Sequence, residues 1–294
     1  MVSRVQSRPS LATIYRPPFV GIFAFAATLG IVPVMHSMLS LINSAVPAQH
    51  KNVVSLGVGV AAVAMVIYAS LRNSEALGTW LGLIAGHLVW SSWIELAFAF
   101  NPDYIGMDPL HVDGEPVLTA SLLFVQGTAG LLFATLPFFV FNRDTRCNAF
   151  MWIQRRFGIK SAGSAANRNF ARITFIEVLY VIWFCYAVSL FLIDPRFVGS
   201  HSPLTYIAGF GFIAWSFYLL MRLTRFTRIL AAVRYSIPTA GIFWIAVEFG
   251  QEWGLYDEVW SKPGEYALQM GLVLAAFITA LLLAVIMPHR KQQY

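Results

Sequence analysis

Charge is scarce in this chain: Asp, Glu, Lys and Arg make up only 12% of its 294 residues, about half the share of a soluble domain. Cysteine is nearly absent. Cys147 and Cys185 are the only two, which excludes a disulfide framework and a cysteine-built zinc site. No lysine falls within an apolar run, so a Schiff-base chromophore has no point of attachment. The glycine-rich phosphate and dinucleotide fingerprints are missing, as is a serine nucleophile elbow. Apolar residues fill the space instead, at 58% of the chain.

These apolar residues gather in eight runs, near 19–45, 52–72, 76–100, 116–142, 169–194, 203–226, 229–252 and 265–287. Each is long enough for a hydrocarbon core of about 30 Å, which takes about 20 helical residues. The expected fold is an all-α polytopic membrane protein with eight transmembrane helices and the lipid bilayer as its main partner. Between the fourth and fifth runs, Phe150, Met151, Trp152, Ile153 and Phe157 alternate with Arg155, Arg156 and Lys160. That pattern predicts a short amphipathic helix lying on the membrane surface. The small polar residues from Ser161 to Asn169 then read as a flexible linker.

The basic residues fall in alternate connections. Seventeen of the twenty sit before the first run, after the second, in the central connection, around the sixth-to-seventh turn or at the C-terminus. Only Lys51, Arg196 and Lys262 lie on the other side. The positive-inside rule makes the first side cytoplasmic, with both termini there. The expected location is a bacterial inner (plasma) membrane. The basic balance is thereby explained without nucleic acid, which is not an expected partner.

Several marks recur at a fixed distance. Tyr68 and Arg72 return as Tyr218 and Arg222, and Gly114, Glu115 and Leu118 as Gly264, Glu265 and Leu268, each 150 positions on. Trp93-Ile94 and Phe98 return as Trp244-Ile245 and Phe249, 151 positions on. This predicts two four-helix repeats, 1–145 and 169–294, joined by a cytoplasmic amphipathic helix and linker over 146–168. An even number of spans per half makes the repeats parallel, related by an axis along the membrane normal.

Eleven of the fourteen acids lie on the outer side or in the outer half of the membrane. The repeated Gly-Glu at Glu115 and Glu265 reads as a turn followed by a carboxylate at a helix N-terminus. Ionisable residues inside spans are expensive and mark candidate sites. His36 lies in the outer half of the first span. His87, Ser91 and Glu95 share one face of the third at i, i+4, i+8, and Glu248 and Glu252 share a face of the seventh. His36, His87, Glu95 and Glu248 supply donors suited to a hard or borderline metal, and the two histidines could ligate a haem. Glu95, Glu248 and Glu252 are the candidate catalytic acids. Trp93 and Trp244 are candidate cofactor contacts, in a region where Trp90, Trp253 and Trp260 also read as an interfacial aromatic belt.

Three functional classes fit. The first is a membrane-embedded enzyme or redox subunit with this His/Glu site in the outer half of the bilayer, binding a metal, haem or quinone. The second is a proton-coupled transporter or channel with its path between the repeats and Glu177 as an inner relay. The third is an accessory subunit whose apolar faces meet other subunits or a second copy of the chain.

Overall fold

The computed structural model of the chain describes residues 15–96, 105–112, 114–141, 148–159 and 168–287. It is about 78% helical, and seven of its helical runs are long and apolar enough to cross a membrane. Those are α1 (Phe19–Ala45), α2 (Ala48–Leu71), the run Ala120–Phe138, α7 (Phe170–Ile193), α8 (Pro203–Leu223), α9 (Ile229–Glu252) and α10 (Ala267–Ile286). The run from Ala120 combines α4 (Ala120–Gly127) with α5 (Ala129–Phe141), broken at Thr128. A short α6 (Asn148–Arg156) follows.

The third apolar segment takes a different form. It is a 15-residue α3 (Glu75–Val89) continued by a seven-residue π-helix (Trp90–Leu96). Ser74 begins it by accepting a hydrogen bond from the Leu77 N–H at 3.3 Å. In the π-helix, where backbone pairing shifts to i→i+5, serines bind carbonyls. The Ser92 hydroxyl donates to Leu88 O at 2.6 Å, and the Ser55 hydroxyl donates to Ser92 O.

The fourth segment also departs from expectation, because residues 116–118 are not helical. Leu110–Val112 (β1) and Glu115–Leu118 (β2) pair as an antiparallel hairpin. Gly114 turns it at φ +86°, and Pro116 keeps its predecessor extended. Glu115 therefore sits in a strand, not at a helix N-terminus. Its counterpart Glu265 lies before α10, exposed and 3.9 Å from Lys262.

The packing is interleaved. α1 lies along α9 and α10, whereas α7 lies along α3 and touches α4 and α5. α2 packs on α3, α8 packs on α9, and α7 also meets α9. Small residues let α3 and α7 approach closely, as membrane helices commonly do. A Cβ at Gly82 would stand 2.7 Å from the Ala171 carbonyl oxygen, and one at Gly86 would stand 2.7 Å from Val178 Cβ. Between α1 and α9, the Thr28 hydroxyl donates to Ser236 Oγ at 2.9 Å, and Ser236 donates to Ala24 O at 3.2 Å.

Helix ends sort into two faces. The basic end carries Arg16, Arg72, Arg168, Arg172, Arg222, Arg225 and Arg228; the acidic end carries Asp108, Asp194, Asp257, Glu258 and Glu265. Large apolar side chains cover the flanks, among them Val53, Leu56 and Ile67 on α2 and Ile207, Phe210 and Phe217 on α8. They are exposed here and form the surface that meets lipid. On α6, the Arg156 guanidinium lies 5.3 Å from the exposed Trp152 ring, while buried Gln154 donates to Val140 O at 2.8 Å. Cys147 and residues 160–167 of the linker lie outside the described residues.

Candidate functional site

One helix organises the polar interior. Along α3 and its π-helical extension, Glu75, Thr79, His87, Ser91 and Glu95 recur on a single i+4 stripe. Leu83, only 1% exposed, occupies the remaining position of that stripe. Thr79, His87 and Ser91 are buried, and Glu95 is half-buried.

At the basic end the stripe begins in an ion-pair cluster. Arg234 donates to Glu75 Oε1 at 2.7 Å and to Thr79 Oγ1 at 2.7 Å. Arg228 donates to Glu75 Oε2 at 3.2 Å, and the Phe170 ring lies 4.5 Å beneath the Arg234 guanidinium. Arg234 reads from the sequence as part of the sixth-to-seventh turn. It is instead inside α9, with its side chain 18% exposed. Glu177 on α7 is within electrostatic reach of Arg234 and makes no hydrogen bond to another described residue.

His87 stands midway. Its Nδ1–H donates to Leu83 O at 2.9 Å, which leaves Nε2 with a free lone pair. His36 on α1 is within electrostatic reach of it.

At the acidic end four helices converge. From α7, the Tyr186 hydroxyl donates to Glu95, and its ring stacks on Trp90 with centroids 5.4 Å apart. From α1, the His36 ring stacks on Trp244 at 5.9 Å with an interplanar angle of 21°. The Trp244 indole N–H in turn donates to Glu248 on the same helix. Trp260 closes the group, 4.8 Å from Trp244, with its N–H donating to Glu258 at 2.7 Å. Ser37 and Ser40 of α1 fasten that loop by donating to Trp260 O and Ser261 O at 3.1 and 2.6 Å. Glu248 is within electrostatic reach of His36, Glu258 and Glu95.

His36, His87, Glu95 and Glu248 are thus brought into one neighbourhood, and Trp244 is part of it. Glu252 is not: it makes no hydrogen bond or ion pair with another described residue. Trp93 also points elsewhere, 40% exposed and packed over Gly59 of α2, where its N–H donates to Leu56 O at 3.4 Å. The belt reading fits that tryptophan, but Trp90 and Trp260 are buried at 3% and 8% exposure and belong to the cluster. Tyr186, Glu258, Trp260 and Arg234 were not foreseen as site residues. Tyr186 had a signal, since it lies 150 positions after His36, the spacing of the repeated marks.

The groups gathered there are carboxyl, phenol and imidazole side chains, each of a kind able to exchange protons. Among the described residues no three His, Cys, Asp or Glu side chains group so as to hold a metal ion. Of the four expected ligands, Glu95 accepts from Tyr186, Glu248 accepts from Trp244, the His36 ring lies flat against an indole, and His87 Nε2 has no hydrogen bond to another described residue.

A separate clamp ties α7 to α4. The Asp194 carboxylate is fully buried. It accepts from Arg196 Nη2 at 2.6 Å, Gln126 Nε2 at 2.9 Å and the Arg196 backbone N–H at 2.9 Å. Burial alone would push its pKa up, but these donors outweigh burial and hold it below its ordinary value.

The chain matches no protein-family model, no curated protein and no solved structure.

Proposed function

We propose that this integral membrane protein conducts protons, with Glu95 and Glu248 as the groups that exchange them and His36, Tyr186 and His87 as their relays. The observation that carries this is the convergence of two half-buried carboxylates, an imidazole and a phenol from α1, α7, α9 and the π-helix. A bundle that needed only cohesion would be served by neutral hydrogen bonds, because unpaired ionisable groups at membrane depth are costly. Each carboxylate here has one side-chain donor and no arginine or lysine partner. The run of π-helix beneath Glu95 fits a functional site, where such departures from α geometry are concentrated.

In this reading the chain crosses eight times, with α3 and the π-helix together as the third crossing, and consists of two parallel halves with both termini cytoplasmic. The reciprocal packing supports it. α1 lies on α9 and α10 as α7 lies on α3 and on α4 and α5, and α2 meets α3 as α8 meets α9. His36 and Tyr186 then occupy equivalent positions on the first helix of each half. Each faces a glutamate on the third helix of the opposite half. The two carboxylates are within electrostatic reach of one another, one accepting from a phenol and the other within reach of an imidazole.

The path follows the α3 stripe. From Thr79 to His87 is about 12 Å at 1.5 Å per residue, and Leu83, Trp80 and Val178 close that interval. Glu177, one residue before Val178 on α7 and within electrostatic reach of Arg234, serves as the relay on the inner side of His87. Reconstituted liposomes holding a trapped pH indicator test the proposal, with protons driven inward by a potassium-diffusion potential. Wild-type protein acidifies the lumen faster than empty liposomes do, and Glu95→Gln, Glu248→Gln and Glu177→Gln each slow this at least tenfold. Acidification no faster than in empty liposomes would overturn it.

A redox enzyme is the second reading, favoured by two groups of packed rings, Trp90 stacked with Tyr186, and His36 stacked on Trp244 with Trp260 tilted against it. Solvent extraction of the purified protein checks it. A quinone recovered near one per chain would support that reading.

A further inference from the structure

Two short turns return the chain at the basic end, and they are finished differently. Between α2 and α3, the helix start is capped from within by Ser74, and Glu75 sits in its first turn. That turn is closed by Arg168, Asn169, Phe170 and Ala171, and Ser70 Oγ donates to Asn169 Oδ1 at 3.1 Å. Between α8 and α9, Arg228 holds the N-cap position of α9 and no side chain caps the helix. The first-turn N–H groups of α9, at the positive end of the helix dipole, therefore have no side-chain acceptor.

A cleft of about 410 Å³ opens at this uncapped start, lined by Arg222, Arg225, Phe226, Thr227, Arg228 and Ala231. Its positive charge is poorly compensated. Arg225 is exposed, and its side chain forms no ion pair or hydrogen bond with another described residue. The Arg222 side chain lies 5.9 Å from the Tyr218 ring and 3.5 Å from its hydroxyl, with no acidic partner among the described residues. Arg228 shares Glu75 with Arg234. Three guanidinium groups and a threonine hydroxyl at an uncapped helix start, beside an apolar flank of Phe226 and Ala231, match a phosphate attached to something greasy.

We infer that this cleft binds the phosphate of an anionic phospholipid headgroup in the leaflet at the basic end. The inference does not depend on proton conduction. A net anionic headgroup such as phosphatidylglycerol is favoured over phosphatidylcholine, whose choline cation the arginines repel. Arginines near an anionic lipid surface contribute about 1 kcal/mol each, so removing two weakens binding roughly 20- to 30-fold.

Native mass spectrometry of the full chain, released from detergent with phosphatidylglycerol or phosphatidylcholine added, tests this. The wild type retains phosphatidylglycerol preferentially. The Arg222→Gln/Arg225→Gln double variant, whose changed side chains are exposed and leave the core untouched, loses that preference, whereas Arg72→Gln at the other turn keeps it. Equal retention of the two lipids by the wild type, or undiminished preference in the double variant, overturns the inference. A parallel melting series with inorganic phosphate separates the sources. Stabilisation by inorganic phosphate without lipid preference would assign the cleft to a soluble phosphate ester and likewise overturn the lipid claim.

Discussion

Replacing Gly82 with alanine forces apart the two helices that join Tyr186 to Glu95. The new Cβ would stand 2.7 Å from the Ala171 carbonyl oxygen and 3.0 Å from Thr174 Cβ, where ordinary contact begins near 3.4 Å. The obstructing carbonyl is backbone, so no rotamer change relieves the clash. α7 must retreat by about 0.7 Å, and neighbouring Gly78 and Gly86, equally close to α7, cannot follow without losing contact. Overpacking of this kind costs about 1–3 kcal/mol, offset by the roughly 0.5–1 kcal/mol that alanine gains over glycine in a helix. The net loss is about 0.5–2 kcal/mol, a fall in melting temperature of roughly 1–8 °C for a chain of this size. Melting followed by tryptophan fluorescence in detergent measures it, with Gly211→Ala as control. Gly211 has no atom within 4 Å of its virtual Cβ, so the same propensity gain there comes without a clash and stability rises or holds. If Gly82→Ala is as stable as Gly211→Ala, the tight α3–α7 contact is refuted.

Three further outcomes follow from the ion pairs and the helix cap. Asp194 has a depressed folded-state pKa. Its contribution to stability is therefore complete above the unfolded value of about 3.9 and is lost as pH falls through the folded value. Asp194→Asn melts below the wild type at neutral pH, and the gap closes as acid protonates the wild-type carboxyl; a gap independent of pH down to strong acid would contradict this. Arg234→Gln leaves Glu75 with only the longer Arg228 contact, and breaking a part-buried pair costs about 1–3 kcal/mol. Melting of Arg234→Gln, with and without Glu75→Gln, checks this, because the double variant regains most of the loss. Ser74→Ala removes the α3 cap and costs about 0.5–2 kcal/mol, visible in the same melting assay, whereas Arg228→Ala removes no cap from α9.

Much of the architecture was readable before any coordinates. Apolar length located α1, α7 and α9 almost to the residue, because a membrane solvent leaves the backbone few options besides helix. The fourth segment was misjudged at its start, where Gly114 and Pro116 favour a hairpin over the apolar pattern that follows them. The π-helix was invisible, since hydropathy does not register a change in backbone pairing. Within the site, His87 and Glu95 were found because a helical period is written in sequence, and Glu248 because a carboxylate in an apolar run is conspicuous. Tyr186 and Trp260 were hidden for the opposite reason. Tyrosine and tryptophan are ordinary in membrane helices and loops, and their roles arise only when α7 and the α9–α10 loop pack onto other helices. Arg234 was hidden by its proximity to a basic turn, little more than one helical turn from the start of α9.

The central claim is that Glu95 and Glu248 exchange protons with water at the acidic end. Infrared difference spectroscopy of the reconstituted protein, recorded while the bathing pH is stepped, measures carboxyl protonation directly and needs no knowledge of a substrate. Proton exchange there predicts a carboxyl C=O difference band that shrinks in Glu95→Gln and in Glu248→Gln and shifts in Tyr186→Phe, because the Tyr186 hydroxyl donates to Glu95. Spectra of both glutamine variants that superpose on the wild type would contradict it and leave the two carboxylates as structural members of the bundle.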